Sequence, residues 1–111
     1  MKHIHTLGAL AFSTVAALTT TAAHADEAAQ IARGKQLFTT ATPACAVCHT
    51  LKDAGTEGTI GPVLDELQPD ATRVARALRD GIGSMPSFKA SLSAADIDAL
   101  ALYVSKASKG K

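Results

Sequence analysis

Both cysteines of this 111-residue chain lie in the pentapeptide Cys45-Ala46-Val47-Cys48-His49, which also holds the only histidine outside the first 25 residues. A C-x-x-C-H run reads as a covalent attachment site for a c-type haem. Cys45 and Cys48 can reach the two vinyl groups of one porphyrin, and the imidazole of His49 then falls beneath the iron as a proximal ligand. Such a chain has to fold around a large flat apolar group, and that narrows the choice of folds more than any other feature here.

The plainer readings of the motif each lack something. A tetrahedral zinc site takes four ligands, and no further Cys or His comes after His49, so an Asp or Glu would have to complete it. A thioredoxin-like dithiol belongs beside a βαβ pattern, and no convincing strand is read between Asp26 and Lys111. A disulfide across so short a loop would remove little unfolded-state entropy.

The first 25 residues have the form of a cleavable secretory signal. Lys2 and the free amine make a positive start, Leu7 to Leu18 is apolar, and Ala23-His24-Ala25 has the A-x-A form of a cleavage site. The apolar stretch is about 12 residues, short of the roughly 20 that span a bilayer. The mature chain is therefore expected to run from Asp26 to the end, residues 26–111, as one small periplasmic domain with no membrane span. One of the 11 basic residues, Lys2, lies in the signal, leaving 10 Lys and Arg against 10 Asp and Glu. Balanced charge gives no argument for nucleic acid, which calls for a strongly basic surface, and haem propionates would make the holoprotein mildly acidic. At 86 residues a core of side chains alone is marginal, and Phe38, Phe88 and Tyr103 are its only aromatics. A buried porphyrin would supply the missing apolar mass, so the apoprotein is expected to be largely unfolded.

The remaining pattern is helices and loops. Asp26 to Phe38 reads as a first helix, its acidic start suited to the helix dipole, with Ile31, Gly34, Leu37 and Phe38 on one side. Gly34 costs about 1 kcal/mol relative to Ala inside a helix, which is tolerable where another backbone comes close. Asp70 to Asp80 reads as a helix capped by Asp70, with Val74, Ala75 and Leu78 inward and Gly81 at its end. Arg73, Arg76 and Arg79 recur along it; they make a solvated basic face, a hydrogen-bonding edge for a haem propionate, or a docking patch for an acidic partner. Ala94 to Ala107 reads as the last helix, with Ser93 as cap, Asp96 three residues on, Leu92 positioned to pack on Ile97, and Gly110 past the end. Ile97, Leu100, Ala101 and Val104 form its stripe, with Tyr103 on the flank.

A sixth iron ligand has few candidates. Met85 is the one methionine outside the signal, and it sits in Gly81-Ile82-Gly83-Ser84-Met85-Pro86, a sequence for a shaped loop. A lone Met is often a core gap-filler; beside a haem motif with no spare His it is the candidate axial ligand. Lys52 or Lys89 could replace it only after losing a proton.

Taken together, these marks resemble the class I mono-haem c-type cytochromes over the whole mature chain. Gly34 with Leu37-Phe38 is similar to the family's first helix, crossed by a last helix in which Leu100 and Tyr103 match. Gly61-Pro62 with Leu64 resembles its loop after the haem motif, and the resemblance implies that the Pro62 carbonyl accepts a hydrogen bond from His49. Met85-Pro86, Phe88, Leu92-Ser93 and Tyr103-Val104 are similar to the small periplasmic and photosynthetic carriers. A weaker similarity is to mono-haem subunits of periplasmic dehydrogenases, including those that oxidise sulfite. The chain has no Trp, which several relatives use to hold a propionate.

The resemblance implies an all-α fold with crossed terminal helices and one haem c on Cys45 and Cys48, its iron ligated by His49 and Met85. Such iron has no open position, so the expected role is one-electron transfer, not catalysis, between a redox donor and acceptor. Docking is expected at Ala46, Val47, Gly83, Ser84 and Pro86. A free monomeric carrier comes first, a tightly held dehydrogenase subunit second, and a sensor or peroxidase with labile Met85 third.

Overall fold

In the computed structural model, residues 19–110 are described; the start of the expected signal, residues 1–18, lies outside them. The described residues form five α-helices: α1 (Thr19–Thr40), α2 (Cys45–Cys48), α3 (Leu64–Leu67), α4 (Ala71–Asp80) and α5 (Ala94–Ala107). The fold is the expected all-α one. Helix α1 begins earlier than the expected Asp26, at Thr19; Ala22, Ala23 and Ala25 favour helix before Asp26, whereas the three threonines that open it do not. At its other end Thr39 and Thr40 donate to the Gln36 carbonyl and Pro43 comes soon after, which closes the helix.

The two later helices keep their expected bounds because their caps work as the residues imply. Asp70 accepts from the Arg73 amide at 2.7 Å, and Ser93 accepts from the Asp96 amide at 3.0 Å, each satisfying an amide that the first helical turn leaves without a partner. Gly81 ends α4 at φ +71°, a backbone angle that side chains disfavour.

Helices α1 and α5 cross in opposite senses, with Glu27 against Lys106 and Arg33 against Asp96. Gly34 makes the crossing possible: a Cβ there would lie 2.2 Å from the Ala99 carbonyl oxygen and 2.5 Å from the Tyr103 Cβ. Beside it Phe38 and Tyr103 meet edge to face at 6.0 Å, a favourable aromatic geometry. Leu37, Ile97, Leu100, Ala101 and Val104 complete a core that Leu51, Leu64, Leu78 and Phe88 extend from the other segments. Tyr103, expected on the flank, is among the most buried side chains. Its ring packs inward while its hydroxyl donates to Asp53 Oδ2 at 2.8 Å, so burial leaves its polar atom satisfied.

One expectation needs correcting. A minimal antiparallel ladder joins β1 (Thr50–Leu51) to β2 (Thr56–Glu57), with Thr50 opposite Glu57. Strands of two residues carry no alternating pattern, so the sequence gives no sign of them. A turn of 3-10 helix over Lys52–Ala54 joins them, and Gly55 at φ +65° completes it.

Candidate functional site: an apolar cavity bordered by the C-x-x-C-H motif

The segment after α1 folds tightly on itself. Helix α2 is a single turn that puts Cys45 and Cys48 on neighbouring positions, and the His49 amide donates back to the Cys45 carbonyl at 2.9 Å. The short ladder then anchors the loop beyond the motif: Thr56 Oγ1 donates to the His49 carbonyl at 2.9 Å, and Thr50 Oγ1 donates to the Gly58 carbonyl at 2.9 Å. Two glycines let this loop close. A Cβ at Gly58 would lie 2.4 Å from the His49 nitrogen, and one at Gly61 would lie 2.4 Å from His49 Cε1. Gly61 belongs to the Gly-Pro pattern of the family. Gly58 escapes sequence reasoning, since its role depends on a backbone contact that spacing does not report.

His49 Nδ1 lies 2.8 Å from the Pro62 carbonyl oxygen. A carbonyl can only accept, so Nδ1 carries a proton, and in the neutral ring Nε2 then keeps its lone pair. This is how an imidazole is prepared to ligate a metal, its ring orientation and basicity set by the second hydrogen bond.

The Met85 turn is built from the other side of α4. Ile82 and Met85 exchange backbone hydrogen bonds at 3.0 and 2.9 Å, leaving Gly83-Ser84 as the two-residue tip with Gly83 at φ +56°. Positive φ at the first tip residue is the requirement of the primed hairpin turns. The Phe88 amide then donates to the Leu78 carbonyl at 2.7 Å, tying the turn to α4.

These segments surround one cavity of about 590 Å³, bordered by Cys45, Cys48, His49, Pro62 and Met85. All five candidate residues therefore meet at one place. Its walls are apolar, from Phe38, Leu64, Leu78, Phe88, Leu100 and Val104. The volume is that of a site for a cofactor-sized ligand, and the donor set of two free thiols, one imidazole and one thioether is what a haem takes. Burial pushes the Cys45 thiol up to about 11, and so keeps it in the neutral form that an apolar wall tolerates. Among the described residues no group of three or more His, Cys, Asp and Glu gathers as a metal site, so the zinc reading finds no further ligands there.

The arginine row divides. Arg73 and Arg76 border the cavity, whereas Arg79 turns to α5 and bonds Asp98 at 2.9 Å. Val47, Ile60 and Ile82 are each more than 60% exposed, at 62%, 69% and 68%, and the last two border the cavity mouth. Sequence reasoning names Val47 but passes over Ile60 and Ile82, which are unremarkable apolar residues until the loops bring them to one rim. No helix among the described residues is long and apolar enough to cross a membrane.

A haem-attachment motif set in a helical shell of this topology defines a c-type cytochrome of class I. The chain matches the family described as cytochrome c oxidase, cbb3-type, subunit III, over residues 29–104, and it belongs to that family. Among solved structures it is similar to the c-type cytochrome SorU from Sinorhizobium meliloti, at 46% identity and a TM-score of 0.71, over 73% of this chain and 93% of that one. No curated protein matches the chain. A c-type cytochrome carries covalently bound haem c, and the residues here fit that group. The haem would supply a one-electron iron couple; Cys45 and Cys48 would attach it, and the apolar walls would surround it.

Proposed function

We propose that this chain is a periplasmic one-electron carrier. In this reading residues 1–25 are a cleaved signal and residues 26–111 the mature domain, with haem c held by thioethers at Cys45 and Cys48 and iron ligated by His49 and Met85. The observation that carries it is the convergence of these four side chains on one apolar cavity, with His49 Nδ1 committed to Pro62. Cleavage after Ala25 would start α1 at Asp26, where two acidic residues suit the helix dipole. With both axial positions filled, the iron offers no place for substrate, so the domain exchanges electrons and does no catalysis itself. Apolar walls and a thioether ligand both raise the reduction potential. Electrons pass at the cavity rim of Ile60, Ile82, Gly83, Ser84 and Pro86, with exposed Val47 and neighbouring Ala46 of the attachment motif, against a redox partner.

Exposed apolar residues at the mouth also favour a second reading, a subunit held by a dehydrogenase, because clustered apolar surface marks interaction sites. The similarity to SorU is compatible with either. Co-purification of a stable complex separates the two.

The deciding experiment is the visible spectrum of the purified protein, oxidised and reduced, with carbon monoxide added to the reduced form. A weak far-red sulfur-to-iron band and indifference to carbon monoxide are expected, and Met85→Ala should abolish the band, open the iron and lower the potential while leaving the haem attached. A native spectrum that shifts with carbon monoxide would replace the carrier with a ligand sensor or peroxidase.

A further inference from the structure

We infer that Arg73 and Arg76 hold the propionate carboxylates of the haem, an inference that rests on the reading of the cavity as a haem site. Position on the helix separates them from Arg79. Residues 73, 76 and 80 share the face of α4 that borders the cavity, while residue 79 lies about 60° beyond residue 76, outside that face, and bonds Asp98. Of the described arginines, Arg33 and Arg79 are committed to Asp96 and Asp98, whereas Arg73 and Arg76 form no ion pair among the described residues. No lysine among the described residues borders the cavity.

The group to be bound makes this arrangement meaningful. A haem is apolar over most of its surface and carries two carboxylates. Carboxylates at an otherwise apolar site need charged or hydrogen-bonding partners. Among the described residues, side-chain N–H donors around this cavity come only from His49, Arg73 and Arg76, and His49 Nδ1 is taken by Pro62. Ser84 adds one hydroxyl, and the chain has no Trp to contribute an indole N–H. Arginine also matches a carboxylate bidentately, which gives position as well as charge. Apart from the attachment motif and the two arginines, Asp80 is the one other ionisable side chain at the cavity among the described residues, at the far end of the α4 face beside Gly81.

The test measures the reduction potential of the holoprotein as a function of pH. The variants are Arg73→Gln, Arg76→Gln, both together, Arg73→Lys with Arg76→Lys, and Arg79→Gln and Asp80→Asn as controls. Removing both cations should lower the potential at neutral pH, because the cations disfavour the extra positive charge of the oxidised iron. It should also move the redox-linked ionisation up by about one pH unit or more, because a carboxylate that loses its cation protonates more readily. The lysine pair should recover most of both effects, and Arg79→Gln should produce neither. Asp80→Asn should leave the ionisation in place, marking it as belonging to the propionates. The visible spectrum is recorded on every variant, so loss of the haem or of its ligation is seen apart from loss of the propionate contacts. An unchanged potential curve in the double variant with an intact spectrum would overturn the inference. So would an effect confined to slower, less salt-dependent association with a redox partner, which would make the two arginines a docking patch. If the double variant does not mature, the single and lysine variants carry the same comparison.

Discussion

The α1–α5 crossing and the cavity beside it share residues, yet one is closed by the protein and the other is not. At the crossing the backbones touch through Gly34, Phe38 meets Tyr103, and the polar atom that burial would strand is matched by Asp53. Across Leu100 and Val104 the same core opens onto about 590 Å³ with apolar walls. The difference fits a core of which these helices make one half and the haem of a c-type cytochrome would make the other. A domain of this size gains little from side chains alone, so a bound group that buries a large apolar face would be structural as well as functional.

The sharpest way to break that comparison is to withhold the group. The variant Cys45→Ser with Cys48→Ser should lose covalent haem, and circular dichroism should show most of the helix signal gone, α1 and α5 included. Full helix content without haem would mean that the crossing stands by itself and that the cavity is a passive mould.

A smaller effect should come from the crossing itself. Gly34→Val would force its side chain against the Ala99 carbonyl, where a Cβ already lies 2.2 Å away. Overpacking of this kind costs typically 1–3 kcal/mol and occasionally more; at the upper end that lowers Tm by roughly 10 °C or more in a domain of this size. The haem spectrum should be retained, since Gly34 does not border the cavity. A variant with native Tm would show that α1 can shift away at little cost.

Much of this contrast is legible in the sequence, and the part that is not has a physical reason. Helices announced by a cap and a stripe, such as Ser93 with Ile97, Leu100 and Val104, need only local bonds and a period. The residues Cys45, Cys48, His49 and Met85 are legible because so few groups of their chemistry exist in the chain. What stays hidden depends on contacts between distant segments. Gly58 supports the backbone at His49 across the short ladder, Ile60 and Ile82 meet at one rim, and Arg79 leaves a row that its spacing joins to Arg73 and Arg76. Tyr103 belongs here too, because its partner Asp53 is 50 residues away and no spacing rule connects them.

That pair offers the finest probe of how the crossing is held. Tyr103→Phe keeps the ring beside Phe38 and removes only the hydroxyl, while Lys35 remains 3.2 Å from Asp53 Oδ2. Losing one hydrogen bond, to a carboxylate that is partly exposed, should cost about 0.5–1.5 kcal/mol, read as a modest fall in Tm with the haem spectrum unchanged. The pH dependence gives a second reading of the same contact. Burial, then the Asp53 carboxylate beside it, hold the Tyr103 phenol well above its ordinary value of 10.0. The folded state therefore keeps a proton that the unfolded chain releases from about pH 10 upward, so this contribution is complete below that pH and declines as pH rises further. Denaturant unfolding measured between about pH 8 and 11, on either side of that ionisation, should show the native chain losing stability at the alkaline end and Tyr103→Phe losing less. Parallel curves for the two proteins would mean that the phenol ionises freely in the fold, and that the edge-to-face ring contact, not the hydroxyl, is what Tyr103 gives to the crossing.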